Sequence, residues 1–121
     1  MKDIDKLKKV IARFRDDRDW DKFHSLQNLV SAMSIEVSEL AELFLWKDDG
    51  EIKKLLVNPD YKQKVKDECA DILNYLILIS DNVEFDLIEA SYHKIENNNN
   101  KYPVSKSFGI AKKYNELDDN D

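Results

Sequence analysis

Apolar residues recur along this chain at helical spacing. Ile4, Leu7, Ile11 and Phe14 lie one or two turns apart while Lys and Arg fill the positions between them, which predicts a helix from about Asp3 to Arg18. The pattern breaks over DDRDWDKFH, from Asp16 to His24, a polar loop carrying one large aromatic, Trp20. A second helix is predicted from Leu26 to Lys47 with Ser25 as its N-cap, ending in KDDGE, where Gly50 supplies a turn. A short amphipathic piece, Ile52 to Val57, stops at Asn58-Pro59, because proline lacks a donor and disfavours helix just before it. A third helix is predicted from Tyr61 to Asn82, capped by Asp60. A fourth begins at Asp86, where Asp86 and Glu89 have the spacing of a capping box, and runs to about Asn97, where four asparagines precede Pro103. The tail from Val104 to Asp121 has few apolar residues and is expected to be disordered at its end. Residues 1–104 read as one domain and 105–121 as its tail.

Composition agrees with an all-α fold. Two Gly and two Pro compare with roughly 8 and 6 expected for this length, too few for the turns of an all-β fold. Neither a Walker loop nor a GxGxxG fingerprint is present. The single cysteine, Cys69, excludes an intrachain disulfide and a Cys-based zinc site; between its acidic neighbours it reads as a small core residue. A net charge of −6 argues against coating duplex nucleic acid or an anionic membrane, which both need a basic face. The opening MKDIDKLKK lacks the apolar core of a leader, and the run Leu76 to Ile79 is far below the ~18 residues of a membrane span. A soluble, cytoplasmic protein is expected.

Two acidic pairs change the picture: Glu36 and Glu39 in EVSE, and Glu68 and Asp71 in ECAD. Spacing i, i+3 puts both acids of a pair on one helix face. That alone says little, since 25 acids in 121 residues produce about five such pairs by chance, and acids are usually solvated. Their neighbours say more. At 100° per residue Glu36 falls inside the apolar arc of the second helix, between Leu29 and the Ala32–Leu43 side, and Glu39 lies at its border near Trp46. Glu68 falls between Ile79 and Tyr75, and Asp71 between Tyr75 and Leu78. If these faces meet, four carboxylates converge. Two charges ~5 Å apart repel by roughly 3 kcal/mol at an effective dielectric of ~20, a heavy burden for a domain worth ~5–15 kcal/mol. A hard dication would relieve it, and all-oxygen ligands select Mg²⁺, Mn²⁺ or Ca²⁺ over zinc or copper. A di-iron bundle would want Glu-x-x-His, and neither His24 nor His93 follows a Glu by three.

With these residues in view, RDWDKFHSLQNLVSAMSIEVSELAELFLWK, DECADILNYLILI and KIENNNNKYP resemble the MazG-like all-α nucleoside triphosphate pyrophosphohydrolases, and among them the dCTP pyrophosphatase branch. The resemblance spans about Phe14 to Pro103. It implies a four-helix MazG-like bundle assembled as a homodimer or dimer-based homotetramer. It implies Mg²⁺-dependent (or Mn²⁺-dependent) cleavage of the α–β phosphoanhydride of a nucleoside triphosphate, giving monophosphate and pyrophosphate, in cleansing of the nucleotide pool. By the same likeness Glu36, Glu39, Glu68 and Asp71 are metal ligands, and Glu36 and Glu39 the catalytic acids that orient water. Trp20, Trp46 and Tyr75 would enclose the base, His24 and Asn28 would contact the nucleotide, and Lys94, Asn98 and Tyr102 the triphosphate and sugar. Read from the residues alone, the two tryptophans suit a core as well as a base, His24 a cap, and Lys94 a solvated helix end. After His24 the chain reads SLQN where animal members carry a Pro-Arg pair, which leaves the base open. The rival readings are the same chemistry on dUTP or another nucleotide, and a non-catalytic helical interaction module.

Overall fold

The structure, a computed structural model, describes residues 3–117. Among them there is no strand. The helices are α1 (Ile4–Asp17), α2 (Leu26–Glu42), α3 (Asp49–Leu56), α4 (Pro59–Val83), α5 (Leu87–Lys101) and the one-turn α6 (Val104–Ser107), with 3-10 turns at Asp21–Phe23 and Tyr114–Glu116. The four long helices match those expected from the apolar pattern. None of the helices is long and apolar enough to cross a membrane.

Local chemistry sets the starts. Asp3 accepts the Lys6 amide at 2.9 Å, Ser25 that of Asn28 at 3.2 Å, Asp48 that of Glu51 at 2.9 Å and Asp86 that of Glu89 at 2.9 Å. Each such cap is worth about 1 kcal/mol. The cap of α4 is Asn58, whose side chain accepts the Asp60 amide at 2.8 Å, and Pro59 occupies the first helical turn. Asp60 is therefore inside the helix and not its cap: proline suits the first turn, where an amide donor has no partner.

The ends differ more from the sequence expectation. α2 stops at Glu42, five residues before Lys47; the apolar run Leu43–Trp46 folds as a turn, and Trp46 takes a left-handed backbone, φ 60°. Gly50 is not a turn residue but lies inside α3. α5 continues through all four asparagines to Lys101. Interior asparagine costs roughly half a kcal/mol relative to alanine, too little to stop a helix already under way. Cys69 is exposed, not core. Of the tail, residues 104–117 carry α6 and the last 3-10 turn; its final residues, 118–121, lie outside the described ones.

The chain divides into two compact units, 1–84 and 85–121. In the first, α4 is the central rod, with α2 packed along it and α1 and α3 against it. Its core is thin: Leu29, Ile77 and Leu78 are buried, with Ser80, whose hydroxyl donates to the Ile77 carbonyl at 2.8 Å. The Tyr61 hydroxyl donates to the Leu43 carbonyl, tying the turn after α2 to α4. In the second unit Tyr102 and Tyr114 meet edge to face at 6.2 Å, and the Lys101 ammonium lies 4.8 Å from the Tyr114 ring.

Candidate metal centre and adjoining cavity

The α2–α4 packing decides where the acids go. Leu29, one of the few fully buried residues, fixes the rotation of α2, and Ile77 and Leu78 fix that of α4. Two turns after Leu29, Glu36 must face α4; Glu68 shares the face of Tyr75 and Ile79, seven and eleven residues further along α4. One carboxylate oxygen from each of Glu36, Glu39 and Glu68 lies within 4.8 Å of the others. Glu36 and Glu68 are half-buried, and Glu39 and Asp71 are exposed. Asp71 stands outside this tight group but near enough for its charge to act on Glu36.

Crowding shows in the protonation of Glu36. Its carboxyl is raised from 4.5 to about 7, first by sharing a hydrogen bond with Glu68, then by burial, then by Glu39 and the charge of Asp71. The Tyr75 phenol is raised by burial, then by the charges of Glu36 and Asp71. None of the ion pairs within the first unit reaches these four acids. Glu68 Oε2 is buried with no hydrogen-bond donor. Converging hard oxygen donors, one of them orphaned, with no ion pair to them from a described residue of the first unit, make up the donor set of a hard dication.

A cavity of about 410 Å³ opens beside this cluster. Asp71 and Tyr75 of α4, Trp20 and His24 of the loop, and Ile11 and Phe14 of α1 form much of its wall. Phe14 meets Trp20 edge to face at 5.7 Å, and the Arg18 guanidinium covers the other part of Phe14 at 3.6 Å. The loop is held from below by Arg15, which bonds Asp16 at 2.9 Å and Asp81 at 3.1 Å and lies 3.7 Å from Asp21. Asn82 adds a bond to the His24 carbonyl at 3.2 Å. His24 Nδ1 is buried without a partner.

The structure thus gathers Glu36, Glu39, Glu68, Asp71, Tyr75, Trp20 and His24 in one region. Asn28 is not in the cavity wall; its amide closes the loop by donating to the Phe23 carbonyl at 3.0 Å. Trp46 is 91% exposed and does not line the cavity. Lys94, Asn98 and Tyr102 belong to the second unit, Lys94 exposed and the other two half-buried. The sequence pattern did not single out Ile11, Phe14 and Asn74, which also line the cavity. Asn74 carried a signal, one turn past Asp71 on the same face. For the α1 residues there was none, since a stripe does not name the helix it packs on.

Residues 31–117 match the model of the MazG-like family. Proteins named dCTP pyrophosphatase 1 are similar over 114 residues, 94% of this chain: the Bos taurus protein is 38% identical, with 68% of its length covered, and the Homo sapiens protein 35%, with 67% covered. A solved structure of a pyrophosphatase from Archaeoglobus fulgidus superposes with a TM-score of 0.77 at 40% identity, over 83% of this chain and 92% of that one.

Proposed function

The chain belongs to the MazG-like family, and from that premise we propose that it is a nucleoside triphosphate pyrophosphohydrolase acting on a dCTP-like nucleotide. The products are the nucleoside monophosphate and pyrophosphate. The observation that carries this is the trio of carboxylates within 4.8 Å beside an aromatic cavity, together with mammalian relatives named dCTP pyrophosphatase 1 and an archaeal pyrophosphatase of the same fold.

Glu36, Glu39 and Glu68, with Asp71 beside them, would hold Mg²⁺ or Mn²⁺, which when bound offsets charge on the phosphate oxygens as it moves to the leaving pyrophosphate. Glu39, the exposed member of the trio, accepts a hydrogen bond from the attacking water and turns its lone pair towards the α-phosphorus, a general-base role. Glu36 backs it from the half-buried side. Trp20 and Tyr75 present ring faces to the base; stacking on them is worth ~1–3 kcal/mol per base and does not discriminate between bases. His24 supplies a polar atom without a protein partner. Lys94, Asn98 and Tyr102 are proposed contacts to triphosphate and sugar, Trp46 and Asn28, outside this cavity's wall, further proposed contacts to the nucleotide, and residues 1–104 the catalytic domain with 105–121 as its tail. The setting proposed is cytoplasmic nucleotide-pool cleansing.

A panel of nucleoside triphosphates with Mg²⁺, scored for pyrophosphate against orthophosphate, tests the reading. Pyrophosphate with the monophosphate is expected from deoxypyrimidine triphosphates. Orthophosphate with the diphosphate, or no turnover of any nucleotide, would refute it.

A further inference from the structure

The wall of the cavity offers few groups that can hydrogen-bond to a ligand. Arg15 is committed to Asp16 and Asp81, and Asp71 sits within the charge of the acid cluster. Asn74 is different. It lines the cavity between Asp71 and Tyr75 and is half-buried. Its carboxamide makes no hydrogen bond with any described group. A primary amide has two donors and one acceptor oxygen, and here they stand in the cavity wall open to solvent or to a ligand. An apolar pocket with a few convergent polar groups is how small-molecule sites fix orientation.

We propose that Asn74 reads the hydrogen-bonding edge of the base, and that the site in consequence takes uracil nearly as well as cytosine. This rests on the pyrophosphohydrolase reading above. Cytosine presents an amino donor at N4 beside the N3 acceptor; uracil presents the O4 acceptor beside the N3–H donor. In one orientation the amide meets cytosine, with Oδ1 accepting from N4 and Nδ2 donating to N3. Turned over about χ2, it meets uracil, with Nδ2 donating to O4 and Oδ1 accepting from N3–H. That torsion is broad and roughly two-fold, and no hydrogen bond with a described group locks it. A site whose polar groups are fixed rejects the wrong partner by about 10⁴-fold or more; an amide free to turn does not. The stacking partners Trp20 and Tyr75 add affinity without preference.

The test compares kcat/KM for dCTP, dUTP and the difluorotoluene deoxynucleoside triphosphate, a pyrimidine isostere that stacks but scarcely hydrogen-bonds. Wild type is expected to use dCTP and dUTP within about tenfold of each other, and to prefer both over the isostere by about 10- to 100-fold, the worth of a bidentate base contact. In Asn74→Leu that preference should collapse towards one, through KM more than kcat. Asn74→Ser, with circular dichroism to confirm folding, repeats the test with a smaller residue. A wild-type preference for dCTP over dUTP beyond about a hundredfold, or Asn74 variants that keep the full preference over the isostere, would overturn the assignment while leaving the hydrolase reading intact. A wild type that cleaves no triphosphate would overturn both.

Discussion

Glu36 carries the tension of the site in one side chain. Its carboxyl holds a proton up to about pH 7 because Glu68 and Glu39 crowd it. An unfolded chain releases that proton near 4.5, so the folded state binds more protons between those values. Stability in the absence of divalent cations is therefore full below about pH 4.5 and falls as pH rises towards 7. Thermal melts in EDTA, wild type against Glu36→Gln, should show wild type losing ground over that window and the variant holding level. At neutral pH without cations, Glu36→Gln should be more stable than wild type by about 1–3 kcal/mol, the scale of one relieved carboxylate repulsion. Glu39→Gln should fold normally and lose about 10²–10⁴ in kcat, the usual worth of a positioned base, as measured by pyrophosphate release. The acids could be read from the sequence because they broke a rule, charges on an apolar face. Asn74 gave only a weaker signal, its place one turn past Asp71 on the same face, since an amide beside such a face breaks no rule.

Among the elements, α2 and α4 were legible because their stripes are long and strongly periodic. The end of α2 was not. Leu43, Phe44 and Leu45 continue the apolar run, so periodicity extends the helix to Lys47, whereas the chain turns at Leu43 and Tyr61 ties that turn to α4. A tertiary hydrogen bond overrode a local pattern. The loop before α2 was read as polar and irregular, and its order comes from a residue on α1, Arg15, bonding Asp16 and Asp81 and lying near Asp21. Sequence spacing of 66 residues between Arg15 and Asp81 hides that link. If Arg15 seats the loop that carries Trp20 and His24, Arg15→Ala should raise KM several-fold with little change in kcat, and lower stability by about 1 kcal/mol. Steady-state kinetics beside a thermal melt checks both. Equal losses in kcat and kcat/KM would say that the loop acts in the chemical step instead.

For the whole molecule, the first unit exposes more apolar surface than a self-sufficient bundle should. Val10 is 64% exposed, Ile35 59% and Leu73 41%, while only three apolar residues among those described are buried. Scattered exposed apolar residues are ordinary, but rows of them on α1, α2 and α4 beside so thin a core need covering. A second copy of the chain is the proposed cover, in a homodimer or dimer-based homotetramer. Light scattering should give at least twice the monomer mass of 14.2 kDa, and Ile35→Asp should shift it towards the monomer. A monodisperse monomer for wild type would refute this. Binding that favours the folded state raises its melting temperature, so Mg²⁺ with a non-hydrolysable dCTP analogue should stabilise wild type more than Glu68→Gln.

The account turns on the acids of α2 and α4 sharing a dication, and a crystal soaked in Mn²⁺ tests this most directly. The expected anomalous difference map has a peak between the two helices, ~2 Å from carboxylate oxygens of Glu36, Glu39 and Glu68. A map without a peak there, with the same carboxylates turned to solvent, would contradict it.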